Sequence, residues 1–431
     1  MPDTRIIFNN EKGFVLPVSL IFLVIIALLG ATAVITTTTD LKIGTNYNKS
    51  LQSFYHADAG AQYVLKKLAI DLDDSDSVTV DLTASPISLN YSTPSGFSFT
   101  VPTDLTSQGS SQYSFQVTGQ APDNPETVAV IEVFFSATPK SVFEYGLFTD
   151  GLLDLKSNAK IYSYDSRDTP DPDPTTFPGA STGEADIGSN TEISTKMATY
   201  IDGDLALGED IAGNAATWTD TGTPIVTGTT GNVDRVDPDP LGANDPTSEL
   251  NNKFTDVITT NDNGIAGDGS PLEGATAIDL GNGDTMTLTA GDYYITDITL
   301  RNGSTLEIDA TSGPVNIYLS GTLDAEEGEL ESKNGSALNN LSQPTDFAIF
   351  SNSTQDITFK HSSAFKGLVY APNAHVELKN TSGVYGMIWG KTATIHNDGQ
   401  FYFDEAIKAK YLSANNYTIT VLSWKDDSLD N

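Results

Sequence analysis

The segment from Phe14 to Thr39, FVLPVSLIFLVIIALLGATAVITTTT, contains no charged residue, and Phe14 to Ile35 is almost wholly apolar. As a helix rising about 1.5 Å per residue, this run crosses a bilayer core of roughly 30 Å. A secretory signal carries a shorter apolar core of about 7–15 residues and a small-x-small cleavage site. Here the run is longer and no such site follows it. The helical pattern continues instead into TDLKIGTNYNKSLQSFYHADAGAQYVLKKLAIDL. Leu41, Leu51, Phe54, Tyr55, Leu65 and Leu68 form an apolar stripe there at helical spacing. The expectation is one long helix. Residues 14–39 span a membrane or a filament core, and 40–72 form an amphipathic continuation. The carboxy-terminal half of that continuation packs on the chain's own β domain, and the amino-terminal half on neighbouring subunits.

A short polar leader, MPDTRIIFNNEKG, precedes the run, with Arg5 and Lys12 as its positive charges. The junction Lys12-Gly13-Phe14 then opens the helix. This order of charged leader, Gly, Phe and apolar helix resembles the cleavage site of type IV prepilins. The resemblance implies that a prepilin peptidase removes residues 1–13, cutting between Gly13 and Phe14, and methylates the new amino terminus. Gly13 offers no side chain to obstruct the cut. Pro17 falls in the first turn of the mature helix, where backbone N–H groups lack intrahelical partners. The alternative is a signal-anchor helix with a chance Gly-Phe junction.

The likeness extends to about residue 70 and is to the PilX-type minor pilins. Leu28-Leu29-Gly30 is followed by Lys42-Ile43-Gly44-Thr45-Asn46 and by Phe54-Tyr55-His56-Ala57-Asp58-Ala59-Gly60. The motif residues are Gly44, Asn46, Phe54, Asp58 and Gly60, with Asp58 where that family commonly has Glu. Major pilins usually carry Glu at the fifth mature position, to pair with a neighbour's amino terminus in the apolar core. Val18 stands there instead. Some minor pilins, and the K-type pseudopilin at the tip of secretion pseudopili, also lack that Glu. A tip or initiating role follows, unless this subfamily tolerates a non-acidic residue anywhere in the filament.

Past Leu72 the chain changes character. DLDDSDS ends the helix, and ISLNY, GFSFTV, SQYSFQVTG and ETVAVIEVFFSATP read as strands. Residues 75–141 are expected to form a small antiparallel β head. From residue 142 a degenerate repeat appears at Asn158–Tyr162, Asn190–Ile193, Gly303–Ile308, Asn373–Leu378 and Lys391–Ile395. Strands this short bury a face only when stacked, with Val, Ile and Leu inward and Asn or Gly at corners of positive φ. Residues 142–425 are therefore expected to form a β-helix or β-solenoid, with a β-sandwich as the competing fold. Asp/Pro/Gly-rich inserts near 165–180, 220–250 and 260–275 read as surface loops. The stretch from GLVYAPNAHVEL to FYFDEAI resembles a carboxy-terminal domain often joined to PilX-type amino termini, and its pattern resembles bactofilin-like rungs. No activity follows from that likeness. The fold class is thus α+β: a long amino-terminal transmembrane or pilin helix, a small β head and a large solenoid.

Composition excludes several functions. The 431-residue chain has no cysteine, which removes disulfides and thiolate metal sites, and only 4 His. Its net charge of −35 shows no basic face, so no nucleic-acid partner is expected. Asp262, Asp268 and Glu273 are the best oxygen ligands for Ca²⁺, though they miss the EF-hand spacing. Apart from that ion no cofactor is expected. Asp404 and Glu405 are adjacent and so point to opposite faces of a strand, a poor acid–base pair. No phosphate-binding glycine loop, HExxH or GxSxG is present, and no catalytic role is expected. Trp389 reads as core and His56 as helix surface.

The resemblance implies a minor subunit of a type IV pilus, displaying its β-rich ectodomain for adhesion or assembly priming. It implies location in a bacterial inner membrane before assembly, and afterwards in a periplasm-spanning or extracellular filament. The partners implied are other pilins or pseudopilins, the prepilin peptidase, and a surface or glycan ligand. The alternatives are a type II secretion pseudopilin, a membrane-tethered β-helix protein that binds or cleaves carbohydrate, and a bactofilin-like polymer.

Overall fold

The computed structural model describes residues 15–72, 80–82, 84–109, 111–169, 179–321 and 327–426. These residues divide into two compact units, Met1–Pro139 with Ala414–Asn431, and Lys140–Ser413.

In the first unit, helix α1 (Val15–Asp71) runs unbroken for 57 residues, about 85 Å. Pro17 lies in its first turn, where it removes no helical hydrogen bond. The polar run at Thr36–Thr39 stays helical because each hydroxyl donates to the carbonyl four residues back, at 2.6–2.8 Å. No part of the 18-residue apolar window is buried, and the helix is long and apolar enough to cross a membrane. The second half of α1 buries Ala57, Ala61, Val64 and Leu68 against a sheet.

That sheet contains β1 (Ile87–Ser88), β2 (Phe99–Thr100), β3 (Asp104–Gly109), β4 (Gln112–Ala121) and β5 (Asn124–Ser141). The pairs β1/β3, β2/β4, β3/β4 and β4/β5 are all antiparallel. Alternate residues of β5, from Ala129 through Ile131, Val133 and Phe135 to Ala137, are buried, which gives the sheet one core face. The strand Leu412–Asp426 pairs with β5 and completes the order β1-β3-β4-β5. Expectation and structure differ here. Residues up to 425 read as solenoid, but the solenoid unit ends at Ser413 and the chain returns to the first sheet. The second unit is an insertion between two neighbouring strands of the first.

The second unit is a parallel β-solenoid with three strand-bearing faces. All five repeats read from the sequence fall on its strands, with Ile161, Ile193, Leu306, Ile308, Val376, Leu378 and Ile395 pointing into one core. On one face the stack runs Ala277–Leu280, Asp297–Leu300, Leu330–Ser332, Ile357–Phe359, 376–378, 393–395, Leu153–Leu155, Glu192–Thr195 and Thr217–Asp220. Spatial order therefore departs from chain order. The chain enters the stack in its middle, winds outward through 147–232, and restarts at the far end at Ala277. It then winds back until Gln400–Asp404 pairs with Lys160–Tyr164.

The corner after this face is turned by residues of positive φ, among them Gly303 (67°), Gly335 (70°), Asp398 (60°) and Asn158 (63°). The next residues inward, such as Ser304, Ser336 and Ala159, are small and buried.

The insert 220–250 is not a loop throughout. Ile225–Val226 and Thr230–Asn232 are strands paired with earlier coils, and Glu249 opens helix α2 (Glu249–Thr259). The Ser248 hydroxyl caps α2 by accepting from Asn251 N at 3.1 Å. Phe254 and Val257 of α2 join an outer aromatic layer with Tyr318, Phe350, Tyr370 and Trp389. The Asp404 carboxylate caps the short helix α3 (Glu405–Lys410), accepting from Ala406 N at 3.1 Å.

Candidate functional site

The feature of α1 with most functional meaning is its division into two halves. Leu16, Leu20 to Ile26, Leu28, Leu29, Val34 and Ile35 are all exposed in the isolated chain. Contiguous apolar surface of this extent marks a membrane or partner contact. Gly13 and Phe14 lie outside the described residues. Pro17 is exposed and Val18 half-buried, on the first turns of the same bare segment. Gly44 and Asn46 are exposed in the middle of α1.

The Phe54–Gly60 motif lies where the helix meets the sheet. Phe54 is partly buried against the sheet core, and Asp58 accepts from Gln62 Nε2 at 2.9 Å on the helix surface. Gly60 is buried, and a Cβ there would meet Val117 Cγ1 at 2.6 Å and Phe99 at 2.7 Å. Across the seam, a Cβ on Gly119 of β4 would overlap the backbone N of Ala57 and the carbonyl of Ser53. Small residues on both sides thus let a strand lie directly on the helix backbone. Gly119→Ala is therefore expected to destabilise this unit by about 1–3 kcal/mol, read as a lowered midpoint in chemical denaturation.

Asp262, Asp268 and Glu273 share one loop, but their carboxylates do not converge. Asp262 Oδ2 accepts from Asp292 N at 2.7 Å, and Asp268 from the backbone N of Ile265 and Ser270 at 2.7 and 2.8 Å. Among the described residues, no group of three or more His, Asp or Glu side chains is placed to hold a metal. His56 is half-buried on α1 and Trp389 is fully buried in the outer layer of the solenoid.

Asp404 is fully buried and burial pushes its carboxyl up, despite hydrogen bonds from Ser166 N and Ala406 N. Glu405 accepts from the Thr182 hydroxyl. The two carboxylates have separate structural partners.

Sequence reasoning missed a cleft of about 340 Å³ on the solenoid, lined by Glu144, Tyr145, Asp186, Asp204, Thr229 and Lys408 among others. Asp186 and Asp204 stand one coil apart at one corner, and Asp204 N donates to Asp186 Oδ1 at 2.8 Å. Burial, and then the repulsion of Asp204, push the Asp186 carboxyl up, and Lys408 opposes that shift. Burial beside Glu144, Asp186 and Asp204 pushes the Tyr145 hydroxyl up to about 12. The cleft thus sets the Asp186 and Asp204 carboxylates beside the Tyr145 phenol and Lys408.

A family model described as a domain of unknown function (DUF7305) matches residues 231–410. No curated protein matches the chain. Solved structures similar to it include the competence-associated pilin ComZ from Thermus thermophilus, 12% identical with a TM-score of 0.39, covering 88% of this chain and 97% of that one. An ice-binding protein from an Antarctic biological consortium is 13% identical with a TM-score of 0.32, covering 62% of this chain and 91% of that one. The ice-binding protein of the ascomycete Antarctomyces psychrotrophicus is 14% identical with a TM-score of 0.28, covering 61% and 97% respectively.

Proposed function

We propose that the chain is a membrane-anchored, pilin-like subunit of a type IV pilus or a related secretion filament, and that it displays the solenoid as its ectodomain. One observation carries this reading. A single continuous helix is bare and apolar over Leu16–Ile35, yet is held against an antiparallel sheet over its last turns by a seam of small residues. In the membrane the bare half is the anchor. In a filament the same surface packs against copies of itself and its relatives, so no apolar side chain is left in water.

The finer reading is a PilX-type minor subunit. Val18 at the fifth mature position supports a place at the tip or start of the filament, where no earlier neighbour's amino terminus needs neutralising. An uncompensated charge in an apolar core is expensive. The role is display, for adhesion or assembly priming, rather than catalysis. In support, the Asp404 carboxylate is committed to capping α3 and Glu405 to Thr182.

The test is the amino-terminal residue of the protein recovered from membranes or sheared filaments, read by mass spectrometry. The expected terminus is Phe14, N-methylated, and Gly13→Val abolishes the cut. An intact Met1, or a terminus beyond residue 35, overturns the reading.

A further inference from the structure

The solenoid gathers cations that the sequence scatters. Just beyond the strands of the face traced above, each of seven successive coils places a basic residue at the same position. In stack order these are Arg301, Lys333, Lys360, Lys379, His396, Lys156 and Lys196. The register is fixed by backbone bonds. Lys333 N donates to Leu300 O, Lys360 N to Ser332 O, Lys379 N to Phe359 O and His396 N to Leu378 O, all at 2.7–2.8 Å. Lys156 N to Ile395 O (2.8 Å) and Lys196 N to Leu155 O (2.9 Å) continue the column across the join in the stack. At an inter-strand spacing of about 4.8 Å, the column spans about 29 Å.

The neighbouring column, two residues earlier in each strand, alternates acid and hydroxyl. It reads Asp279, Thr299, Glu331, Thr358, Glu377, Thr394, Asp154 and Ser194. The acids sit between bases. Arg301 forks onto Asp279 at 2.8 and 3.0 Å. Glu331 takes Lys333 at 2.6 Å and also Lys360, one coil away. Glu377 takes Lys379 at 2.7 Å and His396 at 2.6 Å. Asp154 takes Lys156. Six Lys or Arg side chains therefore face four carboxylates along the stripe, in a chain whose net charge is −35. The Lys and His side chains of these pairs remain about a third exposed, and Arg301 half.

We propose that this stripe binds a linear acidic glycan laid along the solenoid axis, its carboxylates against the Lys/Arg column and its hydroxyls against the alternating acid/hydroxyl column. The coil spacing is close to that of successive sugars in an extended chain. Thr358 and Ser194 of the second column are buried, so the glycan hydroxyls meet its other members, and the cations need not leave their carboxylates altogether. A duplex nucleic acid carries about one charge per 1.7 Å, and the interleaved carboxylates would repel so dense a polyanion. A polymer with sparse charge and many hydroxyls fits both columns. This deepens the display reading and rests on it only for the claim that the stripe faces the outside of the cell.

The experiment uses the full chain in detergent micelles, with alginate (a polyuronate) immobilised on a sensor and neutral dextran and duplex DNA as comparators. Wild-type protein is expected to bind alginate in preference to both, more weakly as salt screens the stripe. Arg301→Gln/Lys360→Gln/Lys196→Gln, which leaves Glu331 its Lys333 partner, is expected to bind at least tenfold more weakly at an unchanged unfolding midpoint. Glu331→Gln/Glu377→Gln is expected to bind severalfold more tightly, and Lys66→Gln/Lys67→Gln on α1 as wild type. Equal binding of alginate and dextran overturns the proposal, as does preference for DNA or unchanged binding by both stripe variants. The amino terminus of the same preparation is read separately, so failure here is distinguishable from failure of prepilin processing.

Discussion

Trp389→Ala lowers the stability of the solenoid by about 3–5 kcal/mol, the largest loss expected from any single substitution considered. Trp389 is fully buried, stacks on Phe148 at 4.6 Å and 26°, and lies 6.0 Å from Phe143. Its indole N–H donates to the Pro238 carbonyl at 3.1 Å. Truncation opens a cavity, and it also takes the indole partner from that half-buried carbonyl. Position adds to the effect. Trp389 belongs to the late run of coils and Phe148 to the early one, and the backbone pairs 388–390 with Leu147–Thr149. The stack therefore fastens the two runs together. Denaturant unfolding monitored by circular dichroism should show the midpoint fall. A change under 1 kcal/mol would mean that the join is held by backbone pairing alone.

A chain beginning at Asp40 moves wholly from the membrane pellet to the soluble fraction, and unfolds at the same midpoint as the full chain in detergent. Burying a large apolar side chain is worth about 1.5–3 kcal/mol, so the exposed residues from Leu16 to Ile35 supply tens of kcal/mol for a membrane or filament and nothing to the fold. None of the apolar window is buried within the chain. The seam at Ala57, Gly60 and Ala61 is untouched by the truncation. Ultracentrifugation and thermal melts read the two halves of this prediction. A truncated chain that stays in the pellet, or melts earlier, would show that residues 15–39 belong to the folded unit.

The features legible in the sequence were those with a local cause. A charge-free run of apolar residues fixes helix and environment together, and α1 follows it from Val15. Short aliphatic alternations marked coils because their inward residues are spaced by two, as Leu306 and Ile308 show. Helix α2 was missed: Ser248 is followed by Leu250, Phe254 and Val257 at helical spacing, but the Asp- and Pro-rich flanks read as loop. Non-local pairing was invisible. No residue of Leu412–Asp426 announces that it completes a sheet begun at Ile87. The basic column was hidden because its members fall at uneven intervals, and only the coil register aligns them. The cleft between Asp186, Asp204 and Lys408 was hidden for the same reason.

The join in the middle of the solenoid bears on how the protein reaches its folded state. Coils 147–232 leave the ribosome first, yet the strand edge below them is filled only by residues 388–404. Asn158 bonds Asp398 across 240 residues of chain. Closing so large a loop is slow. The solenoid cannot then be completed coil by coil during synthesis, because its early half waits with an open parallel edge, a template for wrong pairing. The first sheet waits longer still, since the strand that completes it is made after the whole solenoid. Both open edges therefore persist until residues 388–426 have been made.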